Sequence, residues 1–234
     1  MQNAAYSMER TQTQVRVNSF VRGVYNWMAI GLALTGGVAY FVANTPALFG
    51  IVMRFFFLLV IVEIGLVFWL SARIGKMQPG TATTMFTVYA ILNGATLSFI
   101  FLAYANATIA TAFFTTAAAF AALSLYGWVT KRDLSGMGSF LFMGVVGILI
   151  ASVVNLFLRN PAMQMIISYI AVLVFAGLTA YDTQTIKNMA LSQPAGVDAG
   201  VVRKGAIMGA LKLYLDFILM FQYLLYILGG SNRE

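Results

Sequence analysis

The chain has 234 residues, 61% of them hydrophobic and 9% charged, with a net charge of +7 and neither cysteine nor histidine. Soluble domains carry roughly 25% charged residues, so this composition excludes a water-soluble globule. The missing cysteine excludes disulfides, thiolate catalysis and Cys-ligated metal clusters, and the missing histidine excludes Ser-His catalysis and an imidazole pH switch.

A bilayer's hydrocarbon core is about 30 Å thick and a helix rises about 1.5 Å per residue, so a crossing takes about 20 residues and a chain of this length holds about seven. The fold class expected is all-α: a polytopic membrane protein with seven transmembrane helices. In chain order, residues 1–22 are polar, lack the apolar region of a cleaved signal peptide, and are expected to form a cytosolic tail or interfacial helix. A transmembrane domain over residues 23–229 follows, with 230–234 as a C-terminal tail. Its spans are Gly23–Asn44, Phe55–Ala72, Thr83–Tyr104, Ile109–Val129, Met137–Leu158, Met163–Thr185 and Ala206–Gly229. Asn44-Thr45-Pro46, Gln78-Pro79-Gly80, Lys131-Arg132-Asp133 and Arg159-Asn160-Pro161 break the pattern, and Ala105-Asn106-Ala107-Thr108 is a weaker break. One long connection, Lys187 to Lys204, contains the turn signal Gln193-Pro194.

Charge sets the orientation. With the N-terminus in the cytoplasm, that side collects Arg10, Arg16, Arg22, Arg73, Lys76, Lys131, Arg132, Lys187, Arg203 and Lys204, while Arg54, Arg159 and Arg233 lie opposite and Lys212 lies inside a span. The positive-inside rule therefore places the N-terminus in and the C-terminus out. The positive charge needs no nucleic-acid partner, since topology and attraction to anionic lipid account for it.

Acids inside spans are the functional candidates, because a carboxylate at mid-span costs roughly 2.5 to 3.5 kcal/mol on the insertion scale. Glu63, mid-way along the second span, is either a pore or proton-path acid or a carboxyl hydrogen-bonded between helices. Asn93, Thr96 and Ser98 on the third span, and Ser152 and Asn155 on the fifth, suit hydrogen bonds between helices. Trp27, Trp69 and Trp128 stand near span ends, as interfacial anchors do. Asp182 closes the sixth span about 7 Å along the axis from Lys187, and Asp216 lies about 15 Å beyond Ala206, so both fall in the cytoplasmic half at depths about 8 Å apart. On the last span Gly205, Gly209, Lys212, Asp216 and Tyr223 share one stripe, and Gly205 with Gly209 forms a small-xxx-small element for close helix packing. Such a helix faces a bundle interior with others around it. Lys212, spaced i, i+4 from Asp216, is a local partner for that acid or part of a proton path.

Ala180-Tyr181-Asp182-Thr183-Gln184, followed by the string Gly209 to Ile218 (GALKLYLDFI), resembles the Bax inhibitor-1 family, also called the transmembrane Bax-inhibitor-motif family, and the chain looks like a bacterial member. Glu63 with Ser71-Ala72-Arg73-Ile74 is similar to the family's second helix. The resemblance implies a central last helix and a pH-sensitive calcium leak in the bacterial inner membrane. It also implies a paired-aspartate sensor and gate at Asp182 and Asp216, linked to Arg73 of the second helix. Calcium is then the permeant or transiently bound ion, with these two carboxylates as its ligands, and no resident cofactor is expected. The alternative associated with bacterial relatives is an interaction protein that modulates a membrane-bound ATP-dependent protease.

The chemistry suits a leak. Two carboxyls in one poorly solvated site resist double ionisation, share a proton and titrate as a unit. Protonated, they tie the sixth helix to the seventh; deprotonated, they repel until a cation enters or the helices part. Two acids are too few for a complete calcium cage without carbonyls and water, and weak coordination is what conduction needs. A retinal protein would also carry a lysine in its last of seven helices, but the expected N-in orientation argues against it. No catalytic set is present, so the chain is expected not to be an enzyme.

Overall fold

A computed structural model describes residues 2–194 and 196–230, with side chains from residue 14 onward, and those residues contain helices and no strand. The helices are α1 (Gln2–Ala43), α2 (Pro46–Arg54), α3 (Phe56–Arg73), α4 (Pro79–Leu97), α5 (Ile100–Ala103), α6 (Asn106–Val129), α7 (Ser135–Leu158), α8 (Pro161–Leu191) and α9 (Ala199–Gly230), with a 3-10 turn over Ile74–Lys76. Among the described residues seven stretches are long and apolar enough to cross a membrane: Gln14–Ala43, Phe56–Lys76, Pro79–Ala103, Asn106–Val129, Ser135–Leu158, Pro161–Leu191 and Ala199–Gly230. Each corresponds to one span expected from the sequence, four holding it whole and three falling one residue short, at Asn44, Phe55 and Tyr104, and the protein is an all-α polytopic membrane protein.

The helix ends differ from the expected ones for local reasons. α1 does not break at Arg22, because Val17, Phe20, Val24 and Met28 recur at helical spacing and are all buried. The connection after the first span holds a helix of its own, α2, started by Pro46 in the first turn, where proline's missing N–H costs nothing. The third span is interrupted at Ser98 and Phe99 before α5 resumes it, and the Ser98 hydroxyl donates to the Ala95 carbonyl there. The long connection shrinks to residues 192–198. α8 continues past Thr185 because Ile186 and Ala190, one turn apart, are buried, and α9 starts at Ala199 because the Asp198 carboxylate accepts from the N–H groups of Gly200 and Val201.

Two compact units organise the chain: Met1–Leu102 with Ile186–Lys212, and Ala103–Thr185 with Leu213–Glu234. α8 and α9 therefore each contribute one part to each unit. In the first unit α4 packs against both α1 and α3. Gly94 lies against the backbone of Thr35, whose hydroxyl donates to the Ala90 carbonyl at 2.9 Å. The start of α9 docks on α1 and the end of α8, with Gly23 beside Ala206, Gly205 beside Phe20 and Met189, and Gly209 beside Val24 and Ile186. The small-xxx-small element read from the sequence thus meets side chains of α1 and of the end of α8. Arg203 Nε donates to the Thr83 hydroxyl while its guanidinium covers the Trp27 ring, and Lys204 Nζ donates to the Gly75 carbonyl.

In the second unit α6, α7, the first part of α8 and the last part of α9 pack through small residues and aromatic edges. Gly144 lies against Val174, Gly177 against Leu141, and Phe217 meets Phe113 and Phe120 edge to face. Asn155 Nδ2 donates to Gln164 Oε1 at 3.0 Å, joining α7 to α8. Phe140, Phe142, Met143 and Phe157 on α7 are exposed, which suits a face turned to lipid. α9 is buried along most of its length, from Ala206 to Leu225.

Candidate carboxylate site

The second unit holds both aspartates. In it Met165 of α8 lies against Gly230 of α9, and the Phe175 ring stacks on the Tyr223 ring at 6.2 Å between centroids and 14° between planes. Residue numbers rise along α8 as they fall along α9, so the two run antiparallel. Asp182 lies seven residues beyond Phe175, and Asp216 seven residues before Tyr223. Seven residues are two turns, about 10 Å of rise with a drift of about 20° around the helix. This register puts residues 182 and 216 at one level, on the sides of α8 and α9 that carry Phe175 and Tyr223. Both are buried, at 7% and 4% exposure.

The rest of the motif accounts for the side of α8 on which Asp182 lies. Taking Asp182 as zero and 100° per residue, Thr183 lies at about 100°, Ala180 at about 160°, Gln184 at about 200° and Tyr181 at about 260°. Thr183 Oγ1 donates to Ser124 Oγ of α6 at 3.4 Å. The Ala180 carbonyl presses on Gly127 of α6, where a β-carbon would leave no room. Gln184 Nε2 donates to the Arg132 carbonyl and its Oε1 accepts from the Leu134 N–H, both at 2.8 Å, in the connection between α6 and α7. The Tyr181 ring covers Gly138 of α7. Four neighbours are thus held by α6, the connection and α7, leaving Asp182 as the motif residue on the α9 side. Sequence reasoning assigned these four no role, because their partners are glycines and backbone atoms far away in the chain; the polar pair Thr183-Gln184 at the end of an apolar run was the available signal.

The connection is itself ordered by charge. The Asp133 carboxylate accepts from the Ser135 N–H at 2.9 Å, and the Ser135 hydroxyl and then this N–H hold the carboxyl below the ordinary 3.8 of an aspartate.

The other expected site residues lie in the first unit. Glu63 is buried, with Oε1 accepting from Thr96 Oγ1 at 2.9 Å and Oε2 from Asn93 Nδ2 at 3.2 Å, so it joins α3 to α4. Arg73 is exposed at the C-terminal end of α3. Lys212 is half-buried, one turn before Asp216 along α9. Among the described residues no group of three or more acidic, histidine or cysteine side chains could hold a metal ion. Two carboxylates would need carbonyls and water to make up the six to eight oxygens calcium takes, at about 2.3 to 2.6 Å.

Comparison with known proteins agrees with this architecture. The family described as inhibitor of apoptosis-promoting Bax1 matches residues 17–233. Inner membrane protein YbhL of Escherichia coli is 47% identical over 224 residues, covering 94% of this chain and 95% of the relative. A protein of Deinococcus radiodurans is 42% identical over 234 residues, covering 100% of this chain and 98% of the relative. A membrane protein of Streptococcus pyogenes, SpyM3_0260, is 39% identical over 227 residues, covering 95% and 97%. With seven membrane spans, the Tyr181 to Gln184 motif and a family match across nearly the whole length, the chain belongs to the Bax inhibitor family and is similar to its bacterial members.

Proposed function

We propose that this protein is a pH-sensitive calcium leak of the bacterial inner membrane, gated by the Asp182 and Asp216 carboxyl pair. The observation that supports it best is the antiparallel register of α8 and α9, which sets two buried carboxyls level on facing stripes. A shared proton lets one carboxyl donate to the other and ties the helices; its loss leaves two like charges in a poorly solvated site, which recruit a cation or separate. Calcium suits hard carboxylate oxygens, and a two-carboxylate site holds it weakly enough to release it. The location follows from seven apolar spans and from likeness to an inner membrane protein. Arg73 comes from the family resemblance as the cation that biases the pair, with Glu63 and Lys212 as further members of the ion or proton path.

The test is calcium entry into liposomes containing only this protein, measured across pH. Flux that changes with pH is expected, and no flux above empty liposomes at any pH would defeat the proposal. A second reading, modulation of a membrane-bound ATP-dependent protease, is supported by the length of α1. Its 42 residues run about 63 Å, well beyond the roughly 30 Å of a bilayer core. Removing residues 1–13 should abolish that role while leaving flux intact.

A further inference from the structure

We propose that Gln184 is the positioning residue of the carboxyl pair, clamping the turn of α8 around Asp182 through the connection between α6 and α7 so that Asp182 is held toward Asp216. This role rests on reading the two aspartates as one site. Gln184 lies about 200° around α8 from Asp182, on nearly the opposite side and about 3 Å further along. A primary amide offers a donor and an acceptor side by side. Here they meet a carbonyl and an N–H two residues apart, Arg132 O and Leu134 N, as a neighbouring peptide would. Leu134 is buried and directly precedes α7, so its N–H has no turn of its own helix to bond to, and Gln184 supplies the acceptor from outside.

The clamp binds backbone, not side chains. Movement of the connection is therefore transmitted to α8 whatever touches its charged groups, Lys131, Arg132 and Asp133. The other contacts of the motif, Thr183 to Ser124, Ala180 to Gly127 and Tyr181 to Gly138, hold α8 close to α6 and α7. Of these residues only Gln184 bonds to a segment that is not helical, so it alone couples the orientation of Asp182 to a connection between spans.

The chain lacks cysteine, which permits a direct test. Asp182→Cys with Asp216→Cys reports the facing pair through its rate of capture by a short bifunctional thiol reagent, and Phe175→Cys with Tyr223→Cys reports α8 and α9 two turns away. Each pair is combined with native Gln184, with Gln184→Met, which keeps the shape without the hydrogen bonds, and with Gln184→Ala. The expected result is rapid capture of both pairs with native Gln184. Both substitutions should then slow the 182/216 pair about fivefold or more while leaving the 175/223 pair within about twofold. An unchanged 182/216 rate in Gln184→Met, or equal slowing of both pairs, overturns the positioning role and leaves the carboxyl pair standing. Absence of capture between 182 and 216 with native Gln184 overturns the pair itself, and the positioning role with it.

Discussion

Glu63 shows what a buried membrane acid does when each of its oxygens accepts a hydrogen bond. Its two oxygens take one bond each from Asn93 and Thr96, and Thr96 also bonds to the Asn93 carbonyl. Thr96 therefore keeps a partner if the acid is lost, whereas the Asn93 amide gives up its bond to Glu63. Glu63→Ala should destabilise the protein by about 1 to 3 kcal/mol, and the Glu63→Ala, Asn93→Ala double variant by less than the sum of the single changes. Thermal unfolding in detergent reads both, and additive losses would mean the two side chains act independently. The residue types were legible in the sequence, since a polar group inside a span is conspicuous. Their pairing was not, because Glu63 lies 30 and 33 residues from its partners.

At the scale of elements, glycine placement decides how close helices come. A β-carbon on Gly127 would collide with the Ala180 carbonyl, which is backbone and cannot swing aside, whereas one on Gly37 would meet nothing. Gly127→Ala should therefore cost about 1 to 3 kcal/mol and disturb α8 beside Asp182, while Gly37→Ala should be neutral or stabilising by up to about 1 kcal/mol. Equal behaviour in thermal unfolding would contradict the close approach of α6 and α8. The connection between α6 and α7 has its own pH dependence. Because the folded Asp133 carboxyl titrates below 3.8, its contribution is present above that pH and is lost as the pH falls through the lower folded value. Amide exchange at Ser135 should accordingly lose protection only in that acid range, and protection that fails near neutral pH would contradict the assignment. Seven spans were legible because each is an apolar run of membrane length. The continuation of α8 through Lys187 and Asn188 was not, because its helical state depends on Ile186 and Ala190 being buried rather than on apolar composition.

At the scale of the whole molecule, the orientation proposed from the cation distribution makes a plain prediction. Reporter fusions near Lys76, Arg132 and Gly196 should read as cytoplasmic, and a fusion near Arg233 as external; an external Gly196 would move both aspartates to the other half of the membrane. Family and candidate residues could be read from the Tyr181 to Gln184 motif and the α9 string. The proposed facing of Asp182 and Asp216 rests on the Phe175 and Tyr223 contact, which no spacing within one helix reveals. The central claim is that these two carboxyls act as one group, and the most direct test is the pH profile of calcium flux in liposomes for Asp182→Asn, Asp216→Asn and the double variant. Asparagine keeps shape and hydrogen bonding but does not titrate, so each single change should flatten the profile and the double change should add little. Two independent, additive shifts of the midpoint would contradict the claim and leave Asp216 to its neighbour on the same helix, Lys212.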